Sequence, residues 1–385
     1  MYVTRPLSQY LKFPDSLSLS PEGPNSGCLV LQDEEAEAHL GLCKKNSYLA
    51  DLPFPQNKEL TIYFEDHYYS YVAFIPVLDQ PLSSNLYYAI KPHGSNRGEA
   101  YTCSREEDMA TSCFCHCIRD MKPKPLDPLD IYQQFEIAKY GTSSNAMGEF
   151  YAMSVAPDGF PPYFLRTKGW RIQGETPKNY ELGEALGLNA TLRAQLPEFT
   201  FPLNYKRSEA VIVGKWYCPQ IFIKDGTLRD QRKQSMFYEM TLEQRWEKIF
   251  TSGNKLSEGN TVFVDVVVQR EVVYVVDREA EWNERDVVDG AIWFTSFGNV
   301  REGKSVGLRL EIVERMKWEE ERGGWIGGED REERVKRVEE FGGSGQWRKF
   351  GCYVLVERFV LKRMDGSLVM TYDFKNTHQI KIKWE

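Results

Sequence analysis

Apolar and polar residues alternate in long runs toward the end of this chain. In "HQIKIKWE", Ile380, Ile382 and Trp384 fall on one side of an extended backbone and Lys381 and Lys383 on the other, the period of a half-buried strand. "CYVLVERFVLKRMDGSLVMTYDF" (352–374) reads as two strands joined at Asp365-Gly366, a dipeptide suited to a tight hairpin because glycine accepts positive φ. "SVGLRLEIVERMKW" (305–318) alternates through Leu308, Leu310 and Ile312 and predicts another strand, with Trp318 in the core. Further strands are predicted at "GCLVLQ" (27–32), "LTIYF" (60–64) and "YSYVAFIPVL" (69–78).

Other segments carry a period nearer 3.6. In "MTLEQRWEKIFTSG" (240–253), Leu242, Trp246, Ile249 and Phe250 share one helical face, with Thr241 and Gly253 as caps. "NYELGEALGLNATLRAQLPEF" (179–199) and "REERVKRVEEF" (331–341) read as helices too. Aromatic and apolar runs end in turn glycines at Gly94, Gly159, Gly226, Gly290 and Gly366, at intervals of 65, 67, 64 and 76 residues, which suggests a weak internal repeat. The expectation is an α+β fold: antiparallel hairpin-based sheets with a few packed helices. It divides into an extended N-terminal arm and first strand (1–59), an α+β domain of repeated hairpins and helices (60–255), and a β-rich C-terminal domain with one short charged helix (256–385).

Composition narrows the function classes. Of 385 residues, 42% are hydrophobic and 13% aromatic, enough for a folded core rich in sheet. A net charge of −8 without a basic stripe argues against nucleic acid and against an anionic membrane surface. The N-terminus lacks the apolar core of a secretory signal, and "TVFVDVVVQREVVYVV" (261–276) is interrupted by charge, so a soluble cytoplasmic protein is expected, with the nucleus also open to it. The eight cysteines should then be reduced thiols, and the Asn189-Ala190-Thr191 sequon should carry no glycan.

The conspicuous chemistry is sparse. "SCFCHC" places Cys113, Cys115 and Cys117 at alternate positions; on a strand they share one face and His116 the other. Tetrahedral zinc sites use a C-x₂₋₄-C turn plus a second ligand pair, and the chain has no second pair, so three buried thiols and no metal are expected. The histidines are His39, His67, His93, His116 and His378; His67 and His93 stand at loop edges where either could meet a cysteine. From Arg301 to Phe341, 22 of 41 residues are charged, and Glu319, Glu320 and Glu321 read as a solvated face. Beside them, Arg322, Gly323, Gly324 and Trp325 are the candidate recognition element: a flexible loop presenting a partly exposed indole to a ligand or partner. No G-x-G-x-x-G after a strand, no G-K-[ST] loop and no G-x-S-x-G elbow occurs, so no cofactor and no catalytic residue is assigned.

Long strings place the chain near a known family. "MYVTRPLSQY…PEGPNSGCLVLQDEE", "KWYCPQIFIKDG…RDQRKQSMFYEMTLEQRWEKIF", "ERMKWEEERGGW" and "DFKNTHQIKIKWE" together resemble, over essentially the whole chain, the plant DUF1262 proteins, a domain of unknown function. The resemblance implies a plant protein without a secretory signal, in a stress or defence setting, and supplies no activity, cofactor or catalytic residue. The function expected is a non-enzymatic module binding an unknown protein or small molecule. The alternative is an enzyme using a Cys or His in a cleft between the two halves.

Overall fold

A computed structural model describes residues 1–385 apart from 40–47, 66–67, 113–114, 142–147, 228–230, 232–234, 255–258, 298–302, 329–330 and 345. Among the described residues strands dominate. A thirteen-stranded sheet runs, from one edge, through Ile223–Asp225, Lys304–Arg309, Ala291–Ser296, Arg278–Glu281, Glu271–Val275, Leu368–Trp384, Lys349–Arg363, Phe237–Gly253, Val211–Pro219, Tyr2–Pro6 and Gly27–Leu31, with the short strands Gly187–Leu188 and Val287–Val288 attached. A seven-stranded sheet orders Phe150–Ser154, Gln134–Lys139, Leu86–Ile90, Tyr68–Pro76, Glu59–Phe64, Arg171–Glu175 and Tyr48–Leu49. Thr261–Gln269 pairs with Glu332–Glu340 as a separate ribbon, and Met109–Ser112 with Cys115–Ile118 as another. Strands on both sides of residue 255 therefore share the larger sheet, and strands of the 1–59 arm enter both.

The α+β expectation is overturned: this is a sheet protein in which the longest described helix, Leu310–Arg322, has thirteen residues and the other described α-helices four to six. The reasons are local. Residues 240–253 lie in the strand Phe237–Gly253, where Tyr238, Met240, Leu242, Gln244 and Trp246 alternate inward. Pairing with Lys349–Arg363 slips between Lys248 and Phe250, so a bulge inserts one residue and turns Phe250 to the face opposite Trp246, where it packs with Cys352 and Phe350. That extra residue turned a period of two into apparent helical spacing. In "REERVKRVEEF", Val335 is buried against the core while Val338 faces out opposite Phe263, because the segment is a strand paired with Thr261–Gln269. Within 179–199 only Ala190–Gln195 is helical, capped where the Asn189 side chain accepts from Leu192 N–H at 3.0 Å. The predicted strand 305–318 stops at Arg309; beyond it the buried positions 312, 313, 316, 319 and 320 follow a helix.

The turn glycines do not play one role. Asp289 and Gly290, at φ 50° and 70°, form a two-residue hairpin between Val288 and Ala291, as a type I′ turn requires. Gly366 at φ 82° completes the hairpin that Arg363 and Ser367 close with a 2.9 Å hydrogen bond. Gly226, by contrast, follows the strand Ile223–Asp225, which pairs with Lys304–Arg309 far along the chain.

The main core lies between the sheets. Ile75, Tyr88, Ile90 and Ala100 from the smaller side meet Trp216, Tyr217, Phe237, Phe359 and Phe374 from the larger. A second core backs the seven-stranded sheet, where Phe54, Phe74, Phe150 and Trp170 interlock with centroid separations of 5.1–6.4 Å. The outer face of the Glu59–Phe64 strand carries the opposite parity, and the site described below follows from that.

Candidate functional site

The element predicted for recognition, Arg322 to Trp325, is a helix terminus built into the core. Arg322 ends the helix, is exposed, and donates to Glu22 at 2.9 Å. Gly323 N–H, Gly324 N–H and Trp325 N–H donate to the carbonyls of Glu319, Glu321 and Glu320, closing the helix. Gly324, at φ 92°, permits the reversal. A Cβ on Gly323 would stand 2.2 Å from Arg193 Nη2, so this glycine makes room for a guanidinium. Trp325 is only 5% exposed and packs edge-on against Phe374 at 5.1 Å. The expected exposed indole is thus a core side chain, because the turn folds it back over the sheet. Trp318, expected in the core, is half-buried between the guanidinium groups of Arg315 and Arg322, at 4.5 and 4.4 Å.

Glu319 and Glu320 are each 1% exposed, which corrects the reading of a solvated acidic face. On a helix that packs on a sheet, adjacent positions can both point inward near its end. Arg193 holds Glu357 through two bonds of 2.8 and 2.5 Å and donates to the Glu319 carbonyl at 2.9 Å, while Arg315 binds the Glu319 carboxylate at 2.5 Å. Gln244 adds a third bond to Glu357 at 2.9 Å. Burial alone would raise the Glu357 carboxyl, but Arg193 outweighs it and holds Glu357 below the ordinary range. Burial, and then the charge of Glu357, push Glu320 well above it. Among the described residues, neither Glu320 oxygen accepts a hydrogen bond from an N–H donor. As a carboxylate it would have only Arg193 Nη2 at 3.7 Å; as an acid it can donate to Glu357 beside it. Two guanidinium groups thus share a buried network with three carboxyl groups, of which burial pushes Glu319 and Glu320 up. A cavity of about 330 Å³, lined in part by Arg193, Gln244, Glu357, Arg322 and Gly323, opens beside it.

No Cys or His belongs to that cavity among the described residues lining it. A second cavity of about 220 Å³ includes Cys28, whose thiol burial pushes up and which contacts Tyr10 Oη at 3.0 Å. Burial raises Cys103, Cys218 and Cys352 to about 11, so these are thiols rather than nucleophilic thiolates. Cys115 and Cys117 lie on one strand of a small hairpin. Cys113 and His67 lie outside the described residues.

What the sequence reading missed lies on the seven-stranded sheet. Leu60, Ile62, Val72 and Phe74 point into the core, so pleating turns Thr61, Tyr63, Tyr69 and Tyr71 to the other face. Tyr63 and Tyr69 are cross-strand partners. The rings form a chain: Tyr48 to Tyr63 at 6.0 Å, Tyr63 to Tyr69 at 6.3 Å, Tyr69 to Tyr71 at 5.6 Å, and Tyr71 to His93 at 5.0 Å. Tyr69 is 55% exposed and Tyr71 43%. Arg171 lies over Tyr48 at 5.9 Å. Glu59 and Glu175 face each other across paired strands beside the strip, and His93 Nε2 is 3.8 Å from Glu59. Partial burial, followed by Tyr48 and Glu175, raises the Tyr63 phenol, which keeps it a neutral hydroxyl. The signal was present in "IYF" and "YYSYV": Tyr69 and Tyr71 alternate with the core positions Val72 and Phe74.

Comparison with known proteins adds two findings. A sequence model described as "Protein of unknown function (DUF1262)" matches residues 22–114, a span that contains Tyr48, Tyr63, Tyr69, Tyr71 and His93. No curated protein matches the chain. Among solved structures, the fold is similar to that in "Crystal structure of Cry35Ab1", with a TM-score of 0.50 and 11% identity, covering 86% of this chain and 90% of that one. At that identity the likeness concerns fold alone, and it agrees with a β-rich architecture. No helix among the described residues is long and apolar enough to cross a membrane.

Proposed function

We propose that this protein is a non-enzymatic binding module whose recognition surface is the tyrosine strip of the seven-stranded sheet. The observation that carries the reading is the unbroken chain of rings from Tyr48 to His93, with Tyr69 and Tyr71 about half exposed on the face opposite a complete aromatic core. Tyrosine offers large contact area at small entropic cost and a hydroxyl for orientation, and exposed aromatic anchors concentrate binding energy. The buried thiols and the fully enclosed carboxyl groups support binding over catalysis. The partner is a protein segment or small molecule rather than nucleic acid or a membrane surface, in keeping with the net charge of −8. The reading extends to a plant protein related to DUF1262 over its full length, acting in the cytoplasm under stress or defence conditions. An array of immobilised peptides and glycans tests it: the wild-type protein should give a defined set of positives that Tyr69→Ala/Tyr71→Ala loses while keeping its denaturation midpoint. Positives unaffected by both changes would refute it.

A further inference from the structure

We propose that the tyrosine strip recognises an extended peptide segment through arginine or lysine side chains at alternate positions; this rests on the strip being the recognition surface. Three observations carry it. The first is charge: Glu59 and Glu175 sit directly opposite each other on paired strands, and like charges in that register repel. Glu59 already has His93 Nε2 at 3.8 Å and the Arg97 guanidinium near it, whereas among the described residues Glu175 makes no ion pair within 4.0 Å, so an incoming cation can pair with Glu175. The second is the rings themselves. Their faces are the negative side of an aromatic quadrupole, and the protein already places one guanidinium over this strip, Arg171 above Tyr48. The third is spacing. Alternate side chains of an extended chain step by roughly 6.6 Å on one face. The step from Tyr63 to Tyr69 crosses between strands and that from Tyr69 to Tyr71 runs along one, so a peptide lying along Tyr68–Pro76 sets successive cations on Tyr69 and Tyr71, 5.6 Å apart.

The chemistry is specific. A neutral sugar or an uncharged peptide would use the ring faces but gain nothing from the two carboxylates. A nucleic acid strand would stack its bases on the rings and set its phosphates against Glu59 and Glu175. A cationic side chain uses both.

The test measures fluorescence anisotropy with a labelled nonapeptide carrying arginine at every second position and serine between, beside its twin in which citrulline, uncharged but of the same shape, replaces arginine. Wild-type protein should bind the arginine peptide about tenfold more tightly than the twin, and the preference should shrink as salt rises. Tyr69→Leu/Tyr71→Leu should lose about tenfold for the arginine peptide with its denaturation midpoint unchanged, and Glu175→Gln about threefold with its midpoint unchanged or slightly raised. Equal, tyrosine-dependent binding of both peptides, or tyrosine-dependent binding of a glycan alone, would overturn the cationic class while leaving the binding surface in place. Arginine-peptide binding indifferent to both tyrosines would be general attraction to an acidic protein, and would remove the inference and the surface together.

Discussion

The helix end at Glu319–Trp325 and the tyrosine strip at Tyr63–Tyr71 are both dense in the residue types that recognition uses, yet they spend them in opposite ways. At the helix end an indole, two guanidinium groups and three carboxyl groups are enclosed, and the guanidinium groups hold Glu357 and Glu319. On the sheet, phenol rings are left facing water although a few residues along the same strands equally large rings fill the core. The contrast teaches that local composition does not distinguish structure from function; the face on which a residue falls does. A Gly-Gly-Trp sequence proved to be an anchor because the turn reverses, and a run of tyrosines became a surface because pleating splits it.

The contrast breaks most visibly at Arg193. Arg193→Met leaves Glu357 enclosed without its cation and should cost about 4–5 kcal/mol in urea unfolding, as removal of one partner of a buried pair does. A loss below about 1 kcal/mol would mean that water reaches the network. Trp325→Ala, which empties a core site against Phe374, should cost about 3–4 kcal/mol. If it behaves like a surface change, the helix end is open and the comparison collapses.

Glu320 gives a pH signature. Its folded-state pKa lies above the unfolded value, so its contribution to stability is fully present below the unfolded pKa and is lost as pH rises through the folded one. Between those limits, wild-type stability should fall relative to Glu320→Gln by about 1.4 kcal/mol per pH unit. Parallel stability curves for the two proteins from pH 4 to pH 8 would show that Glu320 is not held as an acid. The smallest effect belongs to the strip: Tyr71→Ala should change stability by less than about 1 kcal/mol, as exposed positions do. A loss as large as that of Trp325→Ala would make the strip part of the core.

Much of this architecture is readable in the chain. The strands at 27–31, 59–64, 68–76 and 349–384 follow directly from alternation, and Asp289-Gly290 and Asp365-Gly366 mark real turns. The helices called for at 240–253 and 331–341 fail for separate physical reasons. One is a bulge that mimics helical spacing; the other is a ribbon whose Val335 and Val338 face opposite ways. The buried acids were illegible because, Arg315 four residues before Glu319 apart, their partners Arg193 and Glu357 lie more than 30 residues away along the chain. The strip, in contrast, needed only the parity of Tyr69 and Tyr71 against Val72 and Phe74.

The most direct test sets the two regions against each other as binding sites. On the same peptide and glycan array, Tyr69→Ala/Tyr71→Ala is compared with Arg322→Ala, which removes an exposed cation of the helix terminus. The account predicts that the tyrosine variant loses the wild-type positives and the Arg322 variant keeps them; loss with Arg322→Ala and retention with the tyrosine variant would place recognition at the helix end and contradict it.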